Sequence, residues 1–398
     1  MHARRLLYLN GHQLSAYHWQ AGVLIAEGSF DAGNVGSLPF AGYLAQHSKS
    51  IFSILANVSE EGFHIETIPF LRGGDRRAII ARKLGQLFFN VSLSASLSLG
   101  HQKSRRKDER ILLAAFTNHE LFAPWLAAMA NAEVALAGIY SLPLLGPLLL
   151  KKLGVARDPC LLLSIQDQSI RQSYLENGEL HFSRLTPLTN SSIGGIAQTF
   201  ASEAAKLQQY LVSQRLIGRQ QPLVAYLLAH ANTRKAIESS CIDRDTLVFA
   251  ILDIEESARL CGLKALPENT HCEPLFLNLL ATDPPRSQFA DDELRHNYHL
   301  WLLRGRGVWE ILPYSILKVP AGFPVRVFVY GCNVLGAGHL GVGKREMLLI
   351  SVLVSRGTSF LSVLSVPAGD LTAAQAGRSE VRKQKRRGAG LAIGAMEP

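Results

Sequence analysis

Apolar and polar positions alternate from the start of the chain. Leu7 and Leu9, then Leu14 and Tyr17, then Val23 and Ile25 mark three short runs separated around Asn10-Gly11 and Ala21-Gly22. A period of two is the signature of a strand with one buried face. Asn-Gly between such runs is a strong hairpin signal, because both residues tolerate positive φ. The chain therefore opens as a three-strand meander. The period then changes. Residues 39–56 read as a helix starting near Pro39, and Ile79, Ile80, Leu84, Leu87 and Phe88 recur at helical spacing over 76–90. Residues 92–99, "SLSASLSL", alternate strictly and read as a strand, as does the apolar run 110–116. A helix is expected from Asn118 to about Asn131, a strand over 134–140 and a further helix from Pro143.

The same plan returns in the second half. Strands are expected at 160–166, 170–176 and 179–186, the last two joined at Glu176-Asn177-Gly178. A helix over 192–213 carries Ile196, Phe200, Leu207 and Leu211 on one side. It leads to a strand at 222–230, a short helix at 232–239, a strand at 246–252 and a helix at 253–262 stopped by Gly262. Each half is a hairpin meander followed by alternating helices and strands, an internal duplication of architecture and not of sequence. The chain divides into 1–157, 158–282, a linker and outgoing charged helix at 283–304, and a tail at 305–398.

Beyond Arg304 acids become rare, Gly and Pro become frequent, and helical periodicity fades. The tail holds Gly338-His339-Leu340-Gly341-Val342-Gly343-Lys344, which fits GxxxxGK. A P-loop cradles phosphate on backbone N–H groups and needs a Ser or Thr for Mg²⁺; position 345 is Arg, and too little chain follows for a P-loop domain. The tail also reads like translation of a shifted frame, with the native frame lost near Arg304–Gly307. Translating the other two frames of the gene tests this.

Composition narrows the class. With 47% hydrophobic and 18% charged residues among 398, the chain can bury a full core. Five scattered cysteines without a CxxC pair argue against a disulfide framework or zinc site and for buried free thiols. The stretch 347–366 is apolar but interrupted by Arg356, a poor membrane span. Much of the formal charge of +9 sits in 103–110, "KSRRKDER", and 382–387, "RKQKRR". Such clusters suit an anionic membrane surface, whereas the lack of interleaved aromatics makes nucleic acid a poor partner. Asp291, Asp292 and Glu293 with His296 and His299 read as an exposed helix face, and Asp253, Glu255 and Glu256 as a helix N-terminus. No catalytic residue and no metal ligand set emerges.

The meander, helix and strand plan, used twice, is the actin-like or ribonuclease-H-like plan, α/β with an irregular C-terminal tail. Several stretches sharpen it. "YLENGELHFSRLTPL" followed by "IGGIAQTFASEAAKLQQYL" resembles the opening of the second subdomain of PilM, a type IV pilus assembly protein, with Arg184, Gly194, Gly195, Glu203 and Lys206 at matching places. "RILLAAFTNHELFAPWLAAMANAEVALAGIYSLPLLGPLL" resembles the close of the first half in PilM and in the cytoplasmic part of GspL of type II secretion. "EPLFLNLLATDPPRSQFADDEL" resembles the exit of GspL before its membrane helix. The resemblance implies a non-catalytic scaffold on the cytoplasmic face of the inner membrane, docking membrane assembly proteins or an assembly ATPase, with a homodimer in prospect. It also implies where nucleotide would sit: at the turns of the two meanders, Asn10 and Gly11, Asp167 and Gln168, and at Gly194 and Gly195 before a helix. That site is degenerate, since Asn10 supplies no charge and Gln168 stands where a glycine would admit phosphate. No cofactor is the first expectation; ATP with Mg²⁺, acting as a switch, is the alternative.

Overall fold

The computed structural model describes residues 3–31, 38–89, 91–102, 106–155, 159–267, 270–305, 324–329, 346–355 and 358–367. It falls into two compact units, Met1–His299 and Leu300–Pro398. The first unit opens with β1 (Arg4–Leu9), β2 (Gln13–Gln20) and β3 (Val23–Asp31), the expected meander. Helix α1 (Leu38–Gln46) and strand β4 (Ile51–Ala56) follow, so the helix expected over 39–56 stops early. Phe52, Ile54 and Leu55 are fully buried, in a strand lying parallel to β1. A strand covered on both faces loses its alternation and mimics a helix in sequence.

An insertion then leaves the main sheet. It holds β5 (Glu61–Ile68), α2 (Gly73–Leu87), β6 (Ser94–His101) and β7 (Glu109–Phe116), its sheet ordered β5-β7-β6. Helix α3 (Ala123–Asn131), strand β8 (Ala135–Ser141) and helix α4 (Gly146–Lys152) complete the first half. Its main sheet runs β3-β2-β1-β4-β8, antiparallel in the meander and parallel from β1 to β8.

The second half repeats that order. Strands β9 (Cys160–Gln166), β10 (Ser169–Glu176) and β11 (Glu179–Pro187) form its meander; α5 (Ile193–Ser213), β12 (Leu223–Ala229), α6 (Arg234–Ser240), β13 (Leu247–Asp253) and α7 (Ile254–Leu260) follow. The sheet runs β11-β10-β9-β12-β13, with β9, β12 and β13 parallel. Helix α8 (Glu273–Thr282), which the sequence reading does not anticipate, packs into an apolar core shared by both halves. Strand β1 shows how alternation builds this: Leu6 and Tyr8 enter the shared core, while Leu7 and Leu9 enter the core under α1 and α3. The outgoing helix α9 (His296–Gly305) starts later than expected, and Asp291 upstream accepts the N–H of Leu294.

In the second unit β14 (Pro324–Val329), β15 (Glu346–Ser355) and β16 (Thr358–Pro367) form an antiparallel sheet in that order. The apolar residues 347–355 and 358–366 are thus strand and not helix. No helix among the described residues is long and apolar enough to cross a membrane. The GxxxxGK motif at 338–344 and the basic run at 382–387 lie outside the described residues.

Candidate functional site

The two meanders bring their first turns to the same place. A cavity of about 880 Å³ opens between them. Asn10 and Gly11 line it from the β1–β2 turn, Asp167 and Gln168 from the β9–β10 turn, and Asn57 to Ser59 from the β4–β5 connection. Four of the six expected residues therefore meet. Gly194 and Gly195 do not line the cavity, although Ile193 and Ile196 beside them do.

The first turn differs from the expected geometry. Neither Asn10 nor Gly11 has positive φ. Instead the Asn10 side-chain oxygen accepts the N–H groups of His12 (2.9 Å) and Gln13 (2.8 Å), an Asx turn that needs no left-handed residue. The paired left-handed hairpins lie at Ala21-Gly22 and Asn177-Gly178. The second turn is a two-residue connection in which Asp167 itself is left-handed, at φ 51°.

Asp167 sits among acids. Its carboxylate accepts the Tyr8 hydroxyl at 2.9 Å, and its backbone N–H donates to Glu273 at the start of α8. Burial raises the Asp167 pKa, and the Glu273 carboxylate raises it further. Burial, Glu273 and Asp167 together hold the Tyr8 hydroxyl well above its ordinary value. His271 is pushed up by the Glu273 carboxylate, 3.6 Å away. Among the described lining residues there is no Lys or Arg.

A buried cation lies behind the wall. Arg171, on β10, is 2% exposed. Its guanidinium donates to the Asn57 side-chain oxygen at 2.9 and 3.0 Å and to the Val58 carbonyl at 2.9 Å, and lies 3.4 Å from Glu61. A second-half side chain thus fixes the first-half wall of the cavity. The sequence offers one weak signal for it, an Arg in a strand otherwise destined for burial.

The N-terminus of α5 carries its own cap. Ser192 Oγ accepts the Gly195 N–H at 3.1 Å, the usual work of an N-cap. Gly195 is needed for packing, since an added Cβ would lie 2.4 Å from Asn190 Cγ. Glu203 and Lys206, at the positions that carry the sequence resemblance, are part of an ion-pair network. Glu203, deep on α5, binds Arg184 at 3.1 Å and Lys206 at 2.7 Å, and accepts from Gln172 at 3.0 Å. Asp253 likewise caps α7 through the Glu256 N–H.

No protein-family model matches the chain, and no curated protein sequence matches it. Solved structures do. The PilM-PilN type IV pilus biogenesis complex is similar over 71% of this chain and 99% of its own, at TM-score 0.50 and 13% identity. A Bacteroides thetaiotaomicron protein with an actin-like ATPase fold covers 65% of this chain and 95% of its own, at TM-score 0.39 and 10% identity. The cytoplasmic domain of EpsL, an inner membrane component of the Vibrio cholerae type II secretion system, covers 72% and 97%, at TM-score 0.36 and 9% identity. With its duplicated sheets and the first of these likenesses, the chain has the actin-like α/β fold.

Proposed function

We propose that this chain is a non-catalytic docking component of an inner-membrane assembly of the pilus or secretion kind, acting on the cytoplasmic face. The cleft between 1–157 and 158–282 holds an extended segment of a partner protein. The observation that carries this is the lining of the cavity. Its one carboxylate, Asp167, lies beside a second acid, no described lining side chain is Lys or Arg, and Ser192 already takes one N–H of the nearby helix N-terminus. A nucleoside triphosphate needs the opposite: cations, and free backbone N–H groups at such a terminus. Apolar walls at Leu185, Leu188, Ile193 and Ile196 suit peptide side chains, with Ile193 47% exposed. The structural likeness to a PilM-PilN complex agrees in kind with a two-protein assembly.

A second reading, an ATP-binding switch, is favoured by one fact: four of the six expected residues line a single cavity. Calorimetric titration of the full chain with ATP and Mg²⁺ separates the two. Docking predicts no heat up to millimolar nucleotide, together with displayed extended peptides whose capture is lost in Ile193→Asp. Micromolar ATP binding sinks the docking reading and installs the switch.

A further inference from the structure

The inserted lobe carries a surface that the cleft does not use. Residues 61–116 hold ten Lys and Arg against five Asp and Glu. Strand register gathers the end of β5, the end of β6 and the start of β7 at one end of the lobe, since Ile68 and His101 both face Glu109. The start of α2 lies there too, because Phe70 of the β5–α2 connection meets the His101 ring at 5.5 Å.

Two acids at this end are answered, and a third, Asp75 in the first turn of α2, is exposed. Glu109 receives both arms of Arg76 at 2.9 Å, and Asp108 lies 3.7 Å from Arg106. Four further cations are exposed, and of these Arg106 alone touches an acid among the described residues. Arg72 and Arg77 are exposed and pair with no carboxylate among the described residues, Lys107 is exposed, and the Arg106 side chain is 76% exposed. Among them stands one apolar ring. Phe70 is 41% exposed, with the Arg72 guanidinium 5.2 Å from its centroid.

We propose that this end of the lobe docks on an anionic lipid bilayer, with Arg72, Arg77, Arg106 and Lys107 at the headgroups and Phe70 entering the interface. Single-stranded nucleic acid needs a groove and successive stacking rings, and the two rings at this end, Phe70 and His101, meet edge-on and not as parallel platforms. Each basic residue held near an anionic leaflet strengthens binding roughly fivefold, and an aromatic ring adds apolar burial.

The test is sedimentation of the full chain with phosphatidylcholine vesicles containing about one third phosphatidylglycerol, against pure phosphatidylcholine. Binding to the anionic vesicles alone, weakened by salt, is expected. The variant R72E/R106E/K107E changes only exposed side chains, should keep the native thermal transition, and should lose at least about tenfold in vesicle affinity. Neutralising the basic run with K383Q/K385Q/R386Q/R387Q should leave the contribution of the lobe in place. Equal binding to neutral vesicles overturns the proposal. So does loss in the 383–387 variant without loss in R72E/R106E/K107E. Tighter binding of a single-stranded or duplex oligonucleotide at the same salt, abolished by R72E/R106E/K107E, also overturns it and makes the surface a nucleic-acid site.

Discussion

A Cβ added to Gly195 would lie 2.4 Å from Asn190 Cγ and 2.7 Å from the Asn190 carbonyl oxygen, whereas one added to Gly194 would meet nothing within 4 Å. The two neighbours should therefore respond in opposite directions. Gly195→Ala forces the 190–192 loop off the helix and should cost about 1–3 kcal/mol. Gly194→Ala removes backbone freedom within the first turn of α5 and should gain about 0.5–1 kcal/mol. Urea unfolding of the two single variants decides it; equal losses would mean that the pair works together and not as one packing residue and one spare. The glycine pair was visible in the sequence, but which member was needed was not. That depends on Asn190 folding back against the helix, a contact that no spacing announces.

At the scale of elements, α8 does the joining. Asn278, fully buried, accepts the Trp19 indole N–H at 2.9 Å and donates to the Cys261 carbonyl at 2.8 Å. One side chain thereby ties β2 of the first half to the end of α7 in the second. Asn278→Leu keeps much of the volume and strands both partners, so it should cost about 1–3 kcal/mol. Chemical denaturation measures that loss, and a neutral result would show that the helix is held by its apolar contacts alone. This helix escaped sequence reading because "EPLFLNLLAT" is buried nearly all round, with no exposed polar face to set a period. Strand β4 was misread for the same reason. By contrast the two meanders, α2, α5 and the parallel strands β8 and β12 were legible, because each has a buried side with a clear repeat or turn residues at its ends. The convergence of Asn10 and Asp167 was foreseen only through the resemblance; Tyr8, Asn57, Arg171 and Glu273, which shape the cavity, reach it by long-range folding.

The whole first unit is crossed by one buried ion pair. Arg171 and Glu61, with side chains 2% and 1% exposed, lie 3.4 Å apart and belong to different halves. Burial pushes the Glu61 carboxyl up to about 7, with Arg171 pulling it down. In the unfolded chain the group ionises near ~4.3. The folded state thus keeps a proton that the unfolded state releases, so the contribution of Glu61 is complete below the unfolded value and is lost as pH rises through about 7. Urea unfolding from about pH 5 to about pH 8 should show a fall on the order of 2 kcal/mol from this group. Glu61→Gln should flatten that slope, and an unchanged slope would assign it elsewhere.

The Ser192 cap on α5 has a consequence for timing. One N–H of the helix end expected to seat a phosphate is already bonded to a hydroxyl of the chain itself, which is never cleaved and never leaves. Under the docking reading the protein then carries no internal clock. A captured partner stays for as long as its own dissociation rate allows, and any schedule of assembly must come from competitors for the cleft or from removal of the partner.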